Sequence, residues 1–138
     1  MAILIDTSLW IAMYRDRTGK LGSRLKAASG GVEPVFARPI ALEILQGCST
    51  DAEWSVTLEH LEGQAYLELT AHTWFEAAHI YFDARRLGKT IRSSMDCIVA
   101  QLAIANNCLL LHNDRDFETI ASIRPLKQRR LDLDTPAT

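Results

Sequence analysis

Two short segments of the chain are wholly apolar, and each leads toward acidic residues. Residues 2–5 (AILI) run directly into Asp6, and residues 108–111 (CLLL) are followed by His112, Asn113 and Asp114. A short strand with no polar side chain has both of its faces buried, as in a parallel sheet that helices cover. These two segments therefore predict an α/β fold with a mainly parallel sheet.

The rest of the chain alternates between strand and helix patterns. Further strands are predicted at residues 32–37 and 65–69 and, at the edge of the sheet, within 126–131. Thr7 or Ser8 is the predicted cap of the first helix, and Asp51 that of the fourth. The pattern predicts one domain over residues 1–138, with a central sheet of about five strands covered by helices on both faces. The predicted helices lie within residues 7–14, 21–28, 40–46, 51–61, 70–87, 93–106 and 114–121.

Net charge and cysteine content limit the classes of function that are expected for this chain. The 138 residues carry a net charge of −2, which argues against coating nucleic acid by bulk charge but allows one local basic patch. Cys48, Cys97 and Cys108 form no C-x-x-C pair, which indicates reduced, packed thiols. There is no signal-peptide pattern and no apolar run near the roughly 20 residues of a membrane span. We therefore expect a cytoplasmic protein.

Four carboxylates are expected at one edge of the sheet. Asp6 and Asp114 follow predicted strands, and the carboxyl ends of parallel strands are where sites form in such sheets. Glu43 and Asp96 lie early on helices that follow or flank strands. Clustered carboxylates repel one another unless a cation lies between them. Oxygen ligands without Cys or His partners suit a hard cation, so the group predicts a site for Mg²⁺ or Mn²⁺.

Each acid taken alone has a simpler explanation. Asp6 is also a plausible helix cap, and so is either Asp114 or Asp116. Glu43 alone is more typical of a solvated helix surface. Asp96 is explained by a capping box with Ser93, although its helix is apolar almost all round. A charge beside such a buried segment is costly unless it is paired or metal-bound, which favours the joint interpretation.

Four blocks of the sequence resemble the motifs of PIN-domain ribonucleases, especially the VapC-type toxins of bacterial toxin–antitoxin pairs. The blocks occur in the order of the family and extend over nearly the whole chain. A lone Asp-Thr-Ser would be a weak signal, whereas four blocks with this spacing are a specific one. They are residues 3–11 (ILIDTSLWI), 39–47 (PIALEILQG), 92–100 (RSSMDCIVA) and 110–121 (LLHNDRDFETIA).

The resemblance implies a PIN-like fold and a metal-dependent endoribonuclease that leaves a 3′-hydroxyl and a 5′-phosphate. By position in the motifs, the catalytic acids are Asp6, Glu43, Asp96 and Asp114. The implied ligands of Mg²⁺ or Mn²⁺ are Asp6, Asp96, Asp114 and, less closely matched, Asp116. Ser8 is implied to support the site. Arg92 matches a recurrent arginine, and its spacing from Asp96 is compatible with an ion pair between them.

The resemblance also implies partners: an RNA substrate, a VapB-like antitoxin and a second copy of the chain. An antitoxin groove is predicted around Trp10, Met13, Tyr14 and Trp54, although such residues are more often simply core. Three basic clusters are available to hold RNA phosphates, unless they are only solvated faces. They comprise Arg15, Arg17, Lys20, Arg24 and Lys26; Arg85, Arg86, Lys89 and Arg92; and Lys127, Arg129 and Arg130.

Two other functions deserve comparison with the ribonuclease. A PIN-like binding module without catalysis would act through protein contacts, but the retention of all four acids speaks against it. A phosphotransfer domain would carry a phosphorylated Asp at a strand end. It needs a second acid and a lysine beside that Asp, and Asp6 has neither as a sequence neighbour. His60, His72, His79 and His112 have no metal-binding spacing and are taken as core or surface residues.

Overall fold

The computed structural model describes residues 1–133, and this part of the chain contains five strands and seven helices. None of these helices is both long and apolar enough to cross a lipid bilayer. Residues 134–138 of the predicted domain lie outside the described range. The elements in chain order are β1 (Ile3–Ile5), α1 (Thr7–Arg15), α2 (Lys20–Ala28), β2 (Phe36–Ala37), α3 (Arg38–Gln46), α4 (Asp51–Glu62), β3 (Tyr66–Leu67), α5 (Ala71–Arg86), α6 (Ser94–Ala105), β4 (Leu109–His112), α7 (Arg115–Ala121) and β5 (Gln128–Arg130).

All paired strands are parallel, as predicted, but they do not form one continuous five-stranded sheet. Strands β1, β4 and β5 form a three-stranded sheet in that order, and β2 pairs with β3 in a second sheet. A single bridge between Leu4 and Val35 connects the two sheets. The predicted strand at 32–37 pairs fully only at its end, because Pro34 has no N–H to donate and the segment before it turns at Gly30 and Gly31.

Strand β4 lies at the centre of the larger sheet and is covered on both faces. Leu110, Leu111 and His112 are all inaccessible to solvent, and successive side chains of a strand point to opposite faces. The three residues of β1 are buried as well. Complete burial explains why both segments carry no alternation of polar and apolar residues, and it confirms the α/β interpretation.

Local side chains determine where the helices begin and end. Helix α1 begins at Thr7, and its N-cap is Asp6 and not Thr7 or Ser8 as predicted. Thr50, and not Asp51, caps α4 by accepting a hydrogen bond from the Glu53 amide. Helix α5 ends where the sequence predicts. Gly88 adopts φ +75° there, and the amides of Gly88 and Lys89 bond back to the carbonyl oxygens of Arg85 and Ala84.

Candidate active site

The carboxyl ends of β1 and β4 lie side by side and define the rim of the site. The Asp6 amide donates to the Leu111 carbonyl oxygen at 2.9 Å, so the first acid lies directly beside the end of β4. The chain then leaves β4 through Asn113 and enters α7, whose N-cap is Asp114. The parallel register of the two strands therefore places acids that are 108 residues apart in sequence at one edge of the sheet.

Three of the acids converge closely. Asp96 in the first turn of α6, Asp114 and Asp116 each offer a carboxylate oxygen, and these oxygens lie within 4.8 Å of one another. Asp116 is buried, whereas Asp96 and Asp114 are partly accessible. Asp116, the least closely matched acid of the sequence motifs, thus belongs to the tightest group. Asp6 and Glu43 lie outside this group of three.

Asp6 and Glu43 are held next to each other by α1. Asp6 is buried, and its Oδ2 accepts hydrogen bonds from the Ser8 hydroxyl at 2.9 Å and the Ser8 amide at 3.4 Å. The neighbouring Thr7 hydroxyl donates to Glu43 Oε1 at 3.0 Å. Ser8 therefore orients Asp6. Buried Thr7, which the sequence pattern predicted only as a possible helix cap, connects α1 to the acid on α3.

The five acids share one electrostatic environment. Burial, followed by the charges of Asp6, Asp114, Asp116 and Glu43, raises the pKa of Asp96 to about 7. Burial likewise raises the pKa of Asp6 in spite of the hydrogen bonds from Ser8. The pKa of Glu43 is raised by burial and, to a smaller extent, by Asp6. The structure therefore brings the other four predicted acids within electrostatic reach of Asp96.

Arg92 contacts two acids of the group, but not the one that its spacing suggested. It precedes α6 and its guanidinium bonds to Asp114 Oδ1 at 2.8 Å and to Asp116 Oδ2 at 3.2 Å. A spacing of four residues allows an ion pair between Arg92 and Asp96 on one helix. Residues 1–133 contain no such pair, because Arg92 lies outside α6. Nor does Asp96 complete a capping box: Ser93 caps α6 by accepting from the Met95 amide.

His112 is buried, as expected of a core histidine, but it also contacts the acidic site, which its sequence spacing did not predict. It is inaccessible to solvent, its Nδ1 accepts from the Asp114 amide at 3.1 Å, and its Nε2 lies 2.6 Å from Gln128 Oε1. An amide can only donate to an unprotonated Nδ1, so the hydrogen-bond pattern assigns the proton to Nε2. Burial lowers the pKa of His112, which keeps it neutral. The available signal was its position, at the end of β4 and two residues before Asp114.

The donor atoms of the site fit a hard divalent cation. Asp96, Asp114 and Asp116 supply only oxygen, and three converging carboxylates are a set that Mg²⁺ or Mn²⁺ binds. The neighbouring His112 and Cys97 are not available as softer ligands. Both ring nitrogens of His112 are engaged, and burial raises the pKa of Cys97 to about 11, which keeps that thiol protonated.

A groove lies apart from the acids, between α1, α3 and α4. It has a volume of about 960 Å³, and its apolar lining includes Ile11, Ile44 and Val56, with Tyr14 and His60 at its side. Of the four residues predicted to form an antitoxin groove, only Tyr14 lines it. Trp10 is instead buried in the core, where it stacks on Phe36.

Comparison with known proteins identifies the family of the chain. The family model described as PIN domain matches residues 3–123. A VapC ribonuclease of Mycobacterium bovis is 39% identical over 130 residues, which cover 91% of this chain and 96% of that protein. Ribonuclease VapC11 of Mycobacterium tuberculosis matches with the same identity and coverage.

Solved structures share the fold at low sequence identity. The structure of VapBC2 from Rickettsia felis, bound to a DNA fragment from its promoter, aligns with a TM-score of 0.76 and 15% identity over 96% of this chain and 100% of that chain. VapBC-1 from nontypeable Haemophilus influenzae aligns with a TM-score of 0.73 and 18% identity over 94% and 98%. With the family model, the curated relatives and the fold in agreement, the chain belongs to the PIN-domain family.

Proposed function

We propose that this chain is a metal-dependent endoribonuclease that acts as the toxin of a toxin–antitoxin pair. Its substrate is the RNA phosphodiester bond, and its products carry a 3′-hydroxyl and a 5′-phosphate. The observation that carries the proposal is the convergence of Asp96, Asp114 and Asp116, with Asp6 and Glu43 beside them, at the edge of the sheet. No feature of residues 1–133 favours the alternative of an inactive binding module.

The acids have different roles in this proposal. Asp96, Asp114 and Asp116 would hold Mg²⁺ or Mn²⁺ together with Asp6, which Ser8 orients. Such an ion would supply Lewis acidity and positive charge for the scissile phosphate, the attacking water and the leaving oxygen. Glu43 Oε1 is engaged by Thr7, so Oε2 is the atom we assign to accept a proton from the attacking water. Burial raises the pKa of Glu43, which makes its carboxylate a stronger proton acceptor than a solvated one.

RNA phosphates are held by basic residues beside the rim. Arg92 of the second cluster contacts the acids directly. The cluster on β5 also lies at the rim, since Arg130 is in register with His112 and its Nε donates to Asn113 Oδ1 at 3.1 Å. Arg129 is exposed on the same strand. Positive side chains next to an acidic metal site attract the substrate backbone without reading its bases.

The partners that we propose are an antitoxin and a second copy of the chain. The similar structures from Rickettsia felis and Haemophilus influenzae are VapBC assemblies, and a VapB-like antitoxin is the corresponding partner here. The groove between α1, α3 and α4 has the apolar lining that an amphipathic helix of such a partner needs.

The decisive experiment uses the full chain purified without any partner and incubated with defined RNAs in Mg²⁺, Mn²⁺ or EDTA. We expect endonucleolytic cleavage with either metal and none in EDTA. Asp6→Asn and Asp96→Asn should each reduce the cleavage rate by about 100-fold or more, because each removes a charged ligand while keeping the side-chain shape.

The matched control is Asp51→Asn, which removes an exposed carboxylate from the first turn of α4, outside the acidic group. This variant should cleave like the unaltered chain. Equal cleavage by all variants, or cleavage that continues in EDTA, would mean that a contaminating nuclease is responsible and that the proposed activity is wrong.

A further inference from the structure

The guanidinium of Arg92 lies on the same carboxylates that are proposed to hold the metal ion. It bonds to Asp114 Oδ1 at 2.8 Å and to Asp116 Oδ2 at 3.2 Å. Asp114 and Asp116 are two of the three acids whose oxygens lie within 4.8 Å of one another. The third, Asp96, accepts no side-chain hydrogen bond from any residue of the described range.

The position of Arg92 is held by its backbone, while its side chain can leave. The Arg92 amide donates to Asp116 Oδ2 at 3.1 Å, and the preceding Ile91 is buried in the core. The Arg92 side chain itself is 67% exposed. Since the exposed guanidinium packs against no part of the core, its displacement into solvent would leave the core and the backbone anchor in place.

Charge balance suggests what this arrangement does. When ionised, Asp96, Asp114 and Asp116 carry three negative charges, and Arg92 neutralises one of them. A divalent ion would have to share Asp114 and Asp116 with a guanidinium that is already bonded to both. A cation close to a cation is unfavourable, and its hydrogen bonds occupy oxygens that the ion would use.

We propose that Arg92 is an internal counter-cation that competes with the divalent ion at Asp114 and Asp116, so that metal binding displaces its guanidinium toward solvent. The inference rests on the proposed metal site and assigns to Arg92 control over the affinity of that site. The displaced guanidinium would stay tethered at the rim, beside the ion, where an RNA phosphate would arrive. Arg92 is thus a positioning residue that moves between the acids and the substrate.

The test is a calorimetric titration of the RNA-free chain with Mn²⁺ and with Mg²⁺. Arg92→Gln should bind either ion more tightly, on the order of tenfold, which is the effect of one unit charge about 6 Å from a divalent ion at water-like screening. Arg92→Lys keeps the charge and should stay within about threefold of the unaltered chain, roughly 0.65 kcal/mol.

Arg115→Gln is the matched control, because Arg115 lies between Asp114 and Asp116 in sequence, is exposed and takes part in neither ion pair. It removes the same charge from the same rim and should leave the affinity within about twofold, roughly 0.4 kcal/mol. Unchanged or weaker binding by Arg92→Gln overturns the inference, and so does an equal gain in Arg115→Gln.

If Arg92→Gln does not fold, NMR of the unaltered chain answers the same question. The Arg92 Nε–H resonance should shift toward that of a solvated arginine as Mg²⁺ saturates the site. A resonance that stays unchanged at saturation overturns the inference while leaving the metal site intact. Absence of any Mg²⁺ or Mn²⁺ binding to the unaltered chain would instead remove the proposed metal site, and the inference with it.

Discussion

Two aspartates of the site are helix caps as well. Asp6 accepts from the Ser8 amide at the start of α1, and Asp114 accepts from the Asp116 amide at the start of α7. The capping explanation and the site explanation of these residues are therefore compatible. A capping carboxylate has a fixed orientation, because the helix N-terminus favours its negative charge and holds one of its oxygens.

Asp96 should make the stability of the metal-free chain depend on pH. Its pKa is raised from 3.8 to about 7 in the fold, so the folded state binds a proton more tightly than the unfolded state does. The contribution to the free energy of unfolding is full below pH 4 and is lost as pH rises through about 7. Urea denaturation in EDTA between pH 5 and 8 should show this loss.

Asp96→Asn should reduce that loss of stability, whereas Asp51→Asn should retain it. Because Asp6 and Glu43 also have raised pKa values, the informative quantity is the difference between the two variants. Metal binding needs ionised carboxylates, so the gain in melting temperature that Mg²⁺ produces should grow over the same pH range. An identical pH dependence in both variants would contradict the assignment to Asp96.

At the level of elements, helices α1, α3 and α4 form an apolar groove. No short sequence motif identifies the residues that line it. Its lining includes Ile11, Ile44 and Val56, which come from three different helices. A contiguous apolar surface that is exposed to solvent is typically a site of interaction with another molecule.

Val56→Asp should weaken binding of the cognate antitoxin by about tenfold or more, because it places an unpaired charge in an apolar contact. RNA cleavage by the free variant should be unaffected, since Val56 is exposed on α4 and outside the acidic group. Val32→Asp is the control, as Val32 is exposed but does not line the groove. Binding can be measured by titration of the purified antitoxin. Equal affinities of both variants would exclude this groove as the antitoxin site.

At the level of the whole molecule, the predicted homodimer needs an apolar contact surface beyond the groove. Helix α5 presents Trp74, Phe75 and Phe82, each more than half exposed. Large aromatic side chains exposed together on one helix are typical of an interface. That residues 1–138 form one domain stays a prediction at this scale, and within residues 1–133 the buried apolar side chains form one core cluster.

If the chain forms the predicted homodimer through α5, Phe75→Asp should make it monomeric, because a charge buried in an apolar interface is left unpaired. Light scattering after size-exclusion chromatography measures the mass directly. Val56→Asp, which alters the groove instead, should remain dimeric. A dimer in both variants would place the interface elsewhere, and a monomeric unaltered chain would refute the homodimer.

Much of the fold could be predicted because the composition of single segments indicates that they are buried. The apolar runs at 2–5 and 108–111 have no polar face, so they could only be buried strands. Helix α5 and its end at Gly88 follow from amphipathic spacing and from a glycine that accepts positive φ. The division into sheets of three and two strands was not predictable, because β2 and β3 are only two residues long.

The sequence by itself determined the order of strands and helices and the family of the chain, and it predicted which acids form the site. Each of these depends on the local pattern of residues. Only the tertiary structure decided how those acids are partnered. Arg92 bonds to Asp114 and Asp116 across the chain instead of to Asp96 along it, and buried His112 holds the Asp114 amide. Such contacts depend on where separate segments meet in space, and no spacing along the chain encodes that distance.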